Sequence, residues 1–233
     1  MTEQEWLTSR DPRAMLEFIR EGASERKLRL FACACCRQAW NVFVPPFAIR
    51  VVTAAEAFAD GEVSARDLAR VRDVVARATL GANTEGPGDR SGYLAFTIEA
   101  SAHATEAAAM IAAVRAMRVA ALAAADATVW DTEIPLEYKP VEYLEELAGQ
   151  ANLLRDIFGN PFRSVEFQLE WFTADVLALA RGIYADRAFD RMPILADALQ
   201  DAGCDDDDIL NHCREAREHA RGCWVVDLLL GKK

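Results

Sequence analysis

The sequence predicts an all-α protein, an irregular multi-helix bundle around a long central Ala-rich helix. Helix caps and breakers recur along the chain, and between them apolar residues fall at helical spacing. No run of alternating or continuous apolar residues is long enough to build a sheet.

The elements follow in order. Asp11 caps a helix to about Glu21, with Pro12 at its first position, Met15, Phe18 and Ile19 on one side, and Gly22 at its stop. Ser24 caps the next, to about Trp40, whose middle, LRLFACACC, is apolar nearly all the way round and therefore belongs in the interior. Arg26, Lys27 and Arg29 in its first turn oppose the helix dipole, so an acidic surface elsewhere must compensate them. Pro45 and Pro46 open a helix that ends at Asp60-Gly61, and Ser64 caps another to about Leu80. Residues 81–92 read as a Gly-rich loop.

From Tyr93 to about Val129 the chain reads as one helix, and 15 of the 28 residues from Ala100 to Ala127 are alanine, which lets neighbouring helices approach closely. At ~1.5 Å per residue it would be roughly 55 Å long, more than a compact body needs, so part of it is expected to project or pair with a second copy. Pro135 and Pro140 break the helix. It resumes from Val141 to Ile157 and stops at Gly159, Asn160 and Pro161. Residues 163–169 form a short extended piece, followed by helices near Thr173–Tyr184, Phe189–Asp201, Asp205–Cys213 and Cys223–Leu230. Two helical regions, 1–130 and 140–233, are expected to pack as one unit.

Composition narrows the function. The 233 residues are 52% hydrophobic, enough to bury a core, and the net charge of −11 argues against a protein that neutralises nucleic-acid phosphates. The apolar stretches are short or interrupted by charge, so no membrane span is expected, and residues 1–20 lack the pattern of an export signal. Three of the six cysteines, Cys33, Cys35 and Cys36, crowd one apolar run where bridges between neighbours are strained, so reduced thiols in a bacterial cytoplasm are expected.

Three stretches carry a family resemblance: MTEQEWLTSRDPRAMLEFIREGASERKLRLFACACCR at the start, LLRDIFGNPFR at 153–163, and the ending FDRMPILADALQDAGCDDDDILNHC…HARGCWVVDLLLGK. Together they resemble an uncharacterised paralogous family of planctomycete proteins, in which similar ends flank an Ala-rich middle of variable length. The resemblance implies a soluble bacterial protein whose two ends form one structural unit, and it brings no catalytic residues with it.

The densest chemistry lies near the C-terminus. Cys204, His212, Cys213, His219 and Cys223 are ligand types that zinc takes in tetrahedral sets of four. Their spacing lacks a CxxC knuckle, so buried packing thiols are the simpler reading, with Cys204, His212, His219 and Cys223 the alternative metal set. An acid precedes each histidine by four residues (Glu99–His103, Asp208–His212, Glu215–His219), which on a helix makes three surface ion pairs. A thiol nucleophile drawn from Cys213 or Cys223, with His212 or His219 and Asp227, lacks any spacing that would orient a base. Asp205–Asp208 lacks the frame of a calcium loop and reads as an acidic helix start and a partner for Arg26, Lys27 and Arg29. GPGDRSG at 86–92 lacks the strand and lysine of a phosphate loop. The five tryptophans belong mainly to the core, with Trp130 the one expected at a surface groove.

The expected function is a non-catalytic helical interaction or scaffold protein without cofactor, binding a protein partner or itself. The alternative is a zinc-binding protein or metallohydrolase using the C-terminal Cys/His group. A third reading assembles an enzyme site from Asp175, Asp186, Asp190 and Asp197.

Overall fold

The computed structural model describes residues 1–38, 40, 46–71, 73, 109–124, 141–165 and 168–233. Among them the regular structure is entirely helical. The loop at 81–92, the break at 131–140, most of the expected Tyr93–Val129 helix, the Glu99–His103 pair and Trp130 lie outside the described residues.

The chain opens with a short helix, α1 (Glu3–Thr8), in which Thr2 and Glu5 cap each other. Its Trp6 is fully buried and donates Nε1–H to Gly159 O at 3.0 Å. α2 (Pro12–Ile19) starts where Asp11 accepts from Arg13 N and Ala14 N. Met15, Leu16 and Ile19 turn inward, whereas Phe18 flanks the stripe, stays 39% exposed and stacks on Phe162 with centroids 5.2 Å apart.

α3 (Glu25–Gln38) is the interior helix. Every residue from Leu28 to Cys36 is buried, because α4 (Pro46–Ala59), α5 (Ala109–Ala124) and α6 (Val141–Phe158) all pack against it. The alanines of α5 at 109, 112, 113 and 116 are buried on this face, where the missing side-chain bulk lets the two backbones close up. Cys33, Cys35 and Cys36 fill space here, and burial pushes their thiols up, Cys36 to about 12.

α6 ends at Gly159, whose φ of +69° reverses the chain, and the Trp224 ring lies 3.3 Å from where a Cβ would stand. At 163–165 the chain belongs to no regular element, and residues 166 and 167 of the expected extended piece lie outside the described residues. A single 3₁₀ turn (Leu169–Trp171) precedes α7 (Ala174–Asp186), capped by Thr173, and another (Phe189–Arg191) precedes α8 (Met192–Asp201). α9 (Asp207–Arg214) is capped by Asp206, and α10 (Trp224–Leu229) follows a non-helical connector at 215–223. These helices share an apolar cluster that includes Val176, Ile183, Leu195, Leu199, Ile209 and Val226.

Charge joins the two regions. Arg26 bonds Asp60 at 2.9 Å and Asp227 at 2.6 and 3.0 Å, and Tyr184 Oη donates to Asp60. Arg221 and Lys232 also reach Asp60, at 2.8 and 3.3 Å. The expected partner of the α3 cations, the Asp205–Asp208 run, is therefore corrected: Asp206 caps α9 and Asp208 pairs with Arg163, while Lys27 donates to Ile157 O at 2.8 Å. The run opens its own helix, where Ile209 N donates to Asp206 and the helix dipole favours acids. Among the described residues no helix is long and apolar enough to cross a membrane.

Candidate metal centre

Three segments bring four donor side chains together. Asp156 comes from the last turn of α6, His212 from α9, and His219 and Cys223 from the connector that leads to α10. One donor atom from each lies within 4.8 Å of all the others. Asp156 Oδ1 is 2.6 Å from His219 Nδ1 and 3.2 Å from His212 Nε2, which is itself 3.2 Å from Cys223 Sγ. Tetrahedral zinc with bonds of ~2.0–2.3 Å sets its donors about 3.3–3.8 Å apart, so small outward shifts would admit the ion.

The surroundings aim these donors. Ala220 N donates to Asp156 Oδ2 at 2.8 Å, leaving Oδ1 for the centre. Trp224 packs against His212 at 5.1 Å between centroids, and the two imidazoles meet edge-on at 5.0 Å. Gly222 makes the turn that returns Cys223 to the group: its φ is +100°, and a Cβ there would stand 2.9 Å from Leu30 Cδ1.

Electrostatics single this cluster out. Glu56, Asp60 and Asp227 are buried carboxylates with a guanidinium partner each, and burial pushes up the carboxyl of a further one, Glu146, beside Gln150. Asp156 is equally buried, yet among the described residues only imidazoles lie at ion-pair distance from it. It also sits near the C-terminal end of α6, where the helix dipole disfavours an anion. Burial raises its pKa, but hydrogen bonds from His212 and His219 outweigh that and hold it at about 2. Burial keeps His212 neutral by lowering its pKa against the pull of Asp156, and burial with the charge of Asp156 pushes the Cys223 thiol up. The result is a buried anion whose neighbours at ion-pair distance, among the described residues, are imidazoles and not a guanidinium or ammonium. A divalent ion would match it: with Asp156 and Cys223 ionised and both imidazoles neutral, the charges sum to zero, the thiol proton being released on binding.

The geometry does not suit a nucleophile relay. In such a relay the thiol meets one imidazole nitrogen and the carboxylate the other. Here Asp156 and Cys223 both approach Nε2 of His212, and Cys223 is fully buried. Donors that converge on one point suit an ion better than a proton pathway.

Three of the four residues in the sequence-derived metal set are in the group. Cys204 is not; it is buried in the apolar cluster of the C-terminal helices, and Asp156 takes its place. Cys213 is also buried in that cluster, its thiol pushed up to about 12 by burial. The acid–histidine pairs expected at four-residue spacing are corrected as well. Asp208 faces Arg163, Glu215 faces Arg217, and both histidines face Asp156, because α9 ends at Arg214 and helical spacing lapses beyond it. Of the scattered acids, Asp190 lines a cleft whose walls include none of Asp175, Asp186 and Asp197, and Asp197 pairs with Arg214. Asp156 carries no Cys/His signature; its signal is an acidic residue inside the apolar LLRDIF run, at a position the helix buries.

No family model, curated protein or solved structure matches the chain.

Proposed function

We propose that the protein is a non-catalytic, metal-binding helical protein in which one zinc ion staples the C-terminal helices to the end of α6. The observation that carries this reading is the convergence of Asp156, His212, His219 and Cys223 within 4.8 Å in the interior. Four protein donors close the coordination sphere, the pattern of a structural rather than a hydrolytic zinc. Imidazole and thiolate among the donors favour zinc over magnesium or calcium, which take oxygen. The buried, unpaired cysteines support a reducing, cytoplasmic setting.

Elemental analysis of the purified, dialysed chain tests this. One zinc per chain is expected, lost in Cys223→Ser and His212→Ala. Substitution with cobalt should bring a sulfur-to-cobalt charge-transfer band that Cys223→Ser abolishes. A chain that keeps no metal, and whose melting temperature responds neither to zinc nor to chelator, would overturn the reading.

A further inference from the structure

A cleft of about 390 Å³ adjoins the metal centre, within the size range of small-molecule sites. Four arginines, Arg37, Arg187, Arg217 and Arg221, line it against three acids, Glu56, Asp190 and Glu218, with His219 between cleft and centre. The chain as a whole is strongly acidic, and Arg217 and Arg221 also pair with the more exposed Glu215 and Glu62, yet cations exceed the buried carboxylates behind these walls. Arg37 and Arg187 share Glu56, while Arg26, Arg221 and Lys232 share Asp60, with Asp227 holding Arg26 a second time: five cations on three buried carboxylates.

The walls also hold polar nitrogens with nothing to bond. Among the described residues, Arg187 Nε, Arg221 Nε and His219 Nε2 are buried without a hydrogen-bond partner. The His219 side chain is only 3% exposed; with Nδ1 on Asp156, ring geometry turns Nε2 away from the centre. The two guanidinium N–H groups are donors, and buried donors cost free energy unless an acceptor meets them. Gln38 Oε1, an acceptor on the same walls, is likewise unpartnered.

We propose that this cleft binds a small oxyanion, the phosphate or carboxylate group of a hydroxyl-bearing small molecule. The guanidiniums of Arg187, Arg217 and Arg221 would hold the anionic oxygens, and Gln38 would accept from the hydroxyl. The contribution of His219 rests on the metal reading, since a metal on Nδ1 leaves Nε2 as an N–H donor; that of the arginines does not.

Isothermal titration of the full chain with inorganic phosphate and, separately, with malate tests the site, with zinc content measured on the same samples. One saturable site per chain is expected for at least one of the two. It should weaken by about tenfold or more in Arg187→Gln and in Arg217→Gln, each checked for native circular dichroism, and stay unchanged in the surface control Arg163→Gln. Two variants keep the test decisive if Arg187→Gln, which also touches Glu56, fails to fold. A metal-loaded chain that binds neither anion, or variants that bind as tightly as wild type, would overturn the cleft proposal. A metal-free chain that still binds phosphate through these arginines would overturn the metal reading alone.

Discussion

Arg26 grips Asp227 with two nitrogens, at 2.6 and 3.0 Å, across 201 positions of sequence. The start of the interior helix is thereby tied to the last helix of the chain, so the two ends close one structure.

Arg26→Met should destabilise the protein by about 3 kcal/mol, because Asp227 is left buried without its guanidinium. Urea unfolding measures this. Adding Asp227→Asn should recover part of the loss; a single variant within about 0.5 kcal/mol of wild type would mean that the pair does not hold the ends together.

Asp156→Asn keeps shape but removes the anion at the centre of the donor group. Zinc affinity should fall by at least about a hundredfold, read by competition with a chromophoric chelator. Equal affinity would place the ion elsewhere.

At Gly222 the backbone φ is +100° and a side chain would meet Leu30 at 2.9 Å. Gly222→Ala should therefore cost about 2–3 kcal/mol, through backbone strain and the clash together. It should also weaken metal binding, since Cys223 follows directly. Melting curves with and without zinc separate the two effects.

The indole of Trp6 donates to Gly159 O at 3.0 Å and is wholly enclosed. Trp6→Phe deletes the donor and leaves that carbonyl unpaired, for an expected loss of about 1–3 kcal/mol in chemical denaturation. No loss would show that α1 docks by shape alone.

Glu146 is buried beside Gln150, and burial raises its carboxyl above the ordinary value of 4.5. A raised acid favours folding while it is protonated. That advantage is complete below about 4.5 and disappears as pH rises through the folded value, leaving a penalty at neutral pH. Glu146→Gln should thus be more stable than wild type at about pH 7, with the difference shrinking toward about pH 4. Denaturant midpoints at both pH values decide it; a variant less stable at neutral pH would contradict the sign.

Local grammar made most helices legible. Asp11 with Pro12, and Gly159, act within a turn of their own position, so their cap and stop read directly from sequence. The site was legible only in part. His212, His219 and Cys223 stood out as ligand types, but their irregular spacing hid the match, because the connector at 215–223 is not a helix and no periodic rule describes it.

Sequence alone determined that the described elements are helical, that α3 is enclosed, and that Cys33, Cys35 and Cys36 form no bridge with one another, since caps, apolar spacing and cysteine crowding are local properties. Only the tertiary structure decided which carboxylate faces the histidines and which answers the cations of α3. Asp156 and Asp227 reach those places through the packing of α6 and α10, across distances in sequence over which composition and periodicity carry no information.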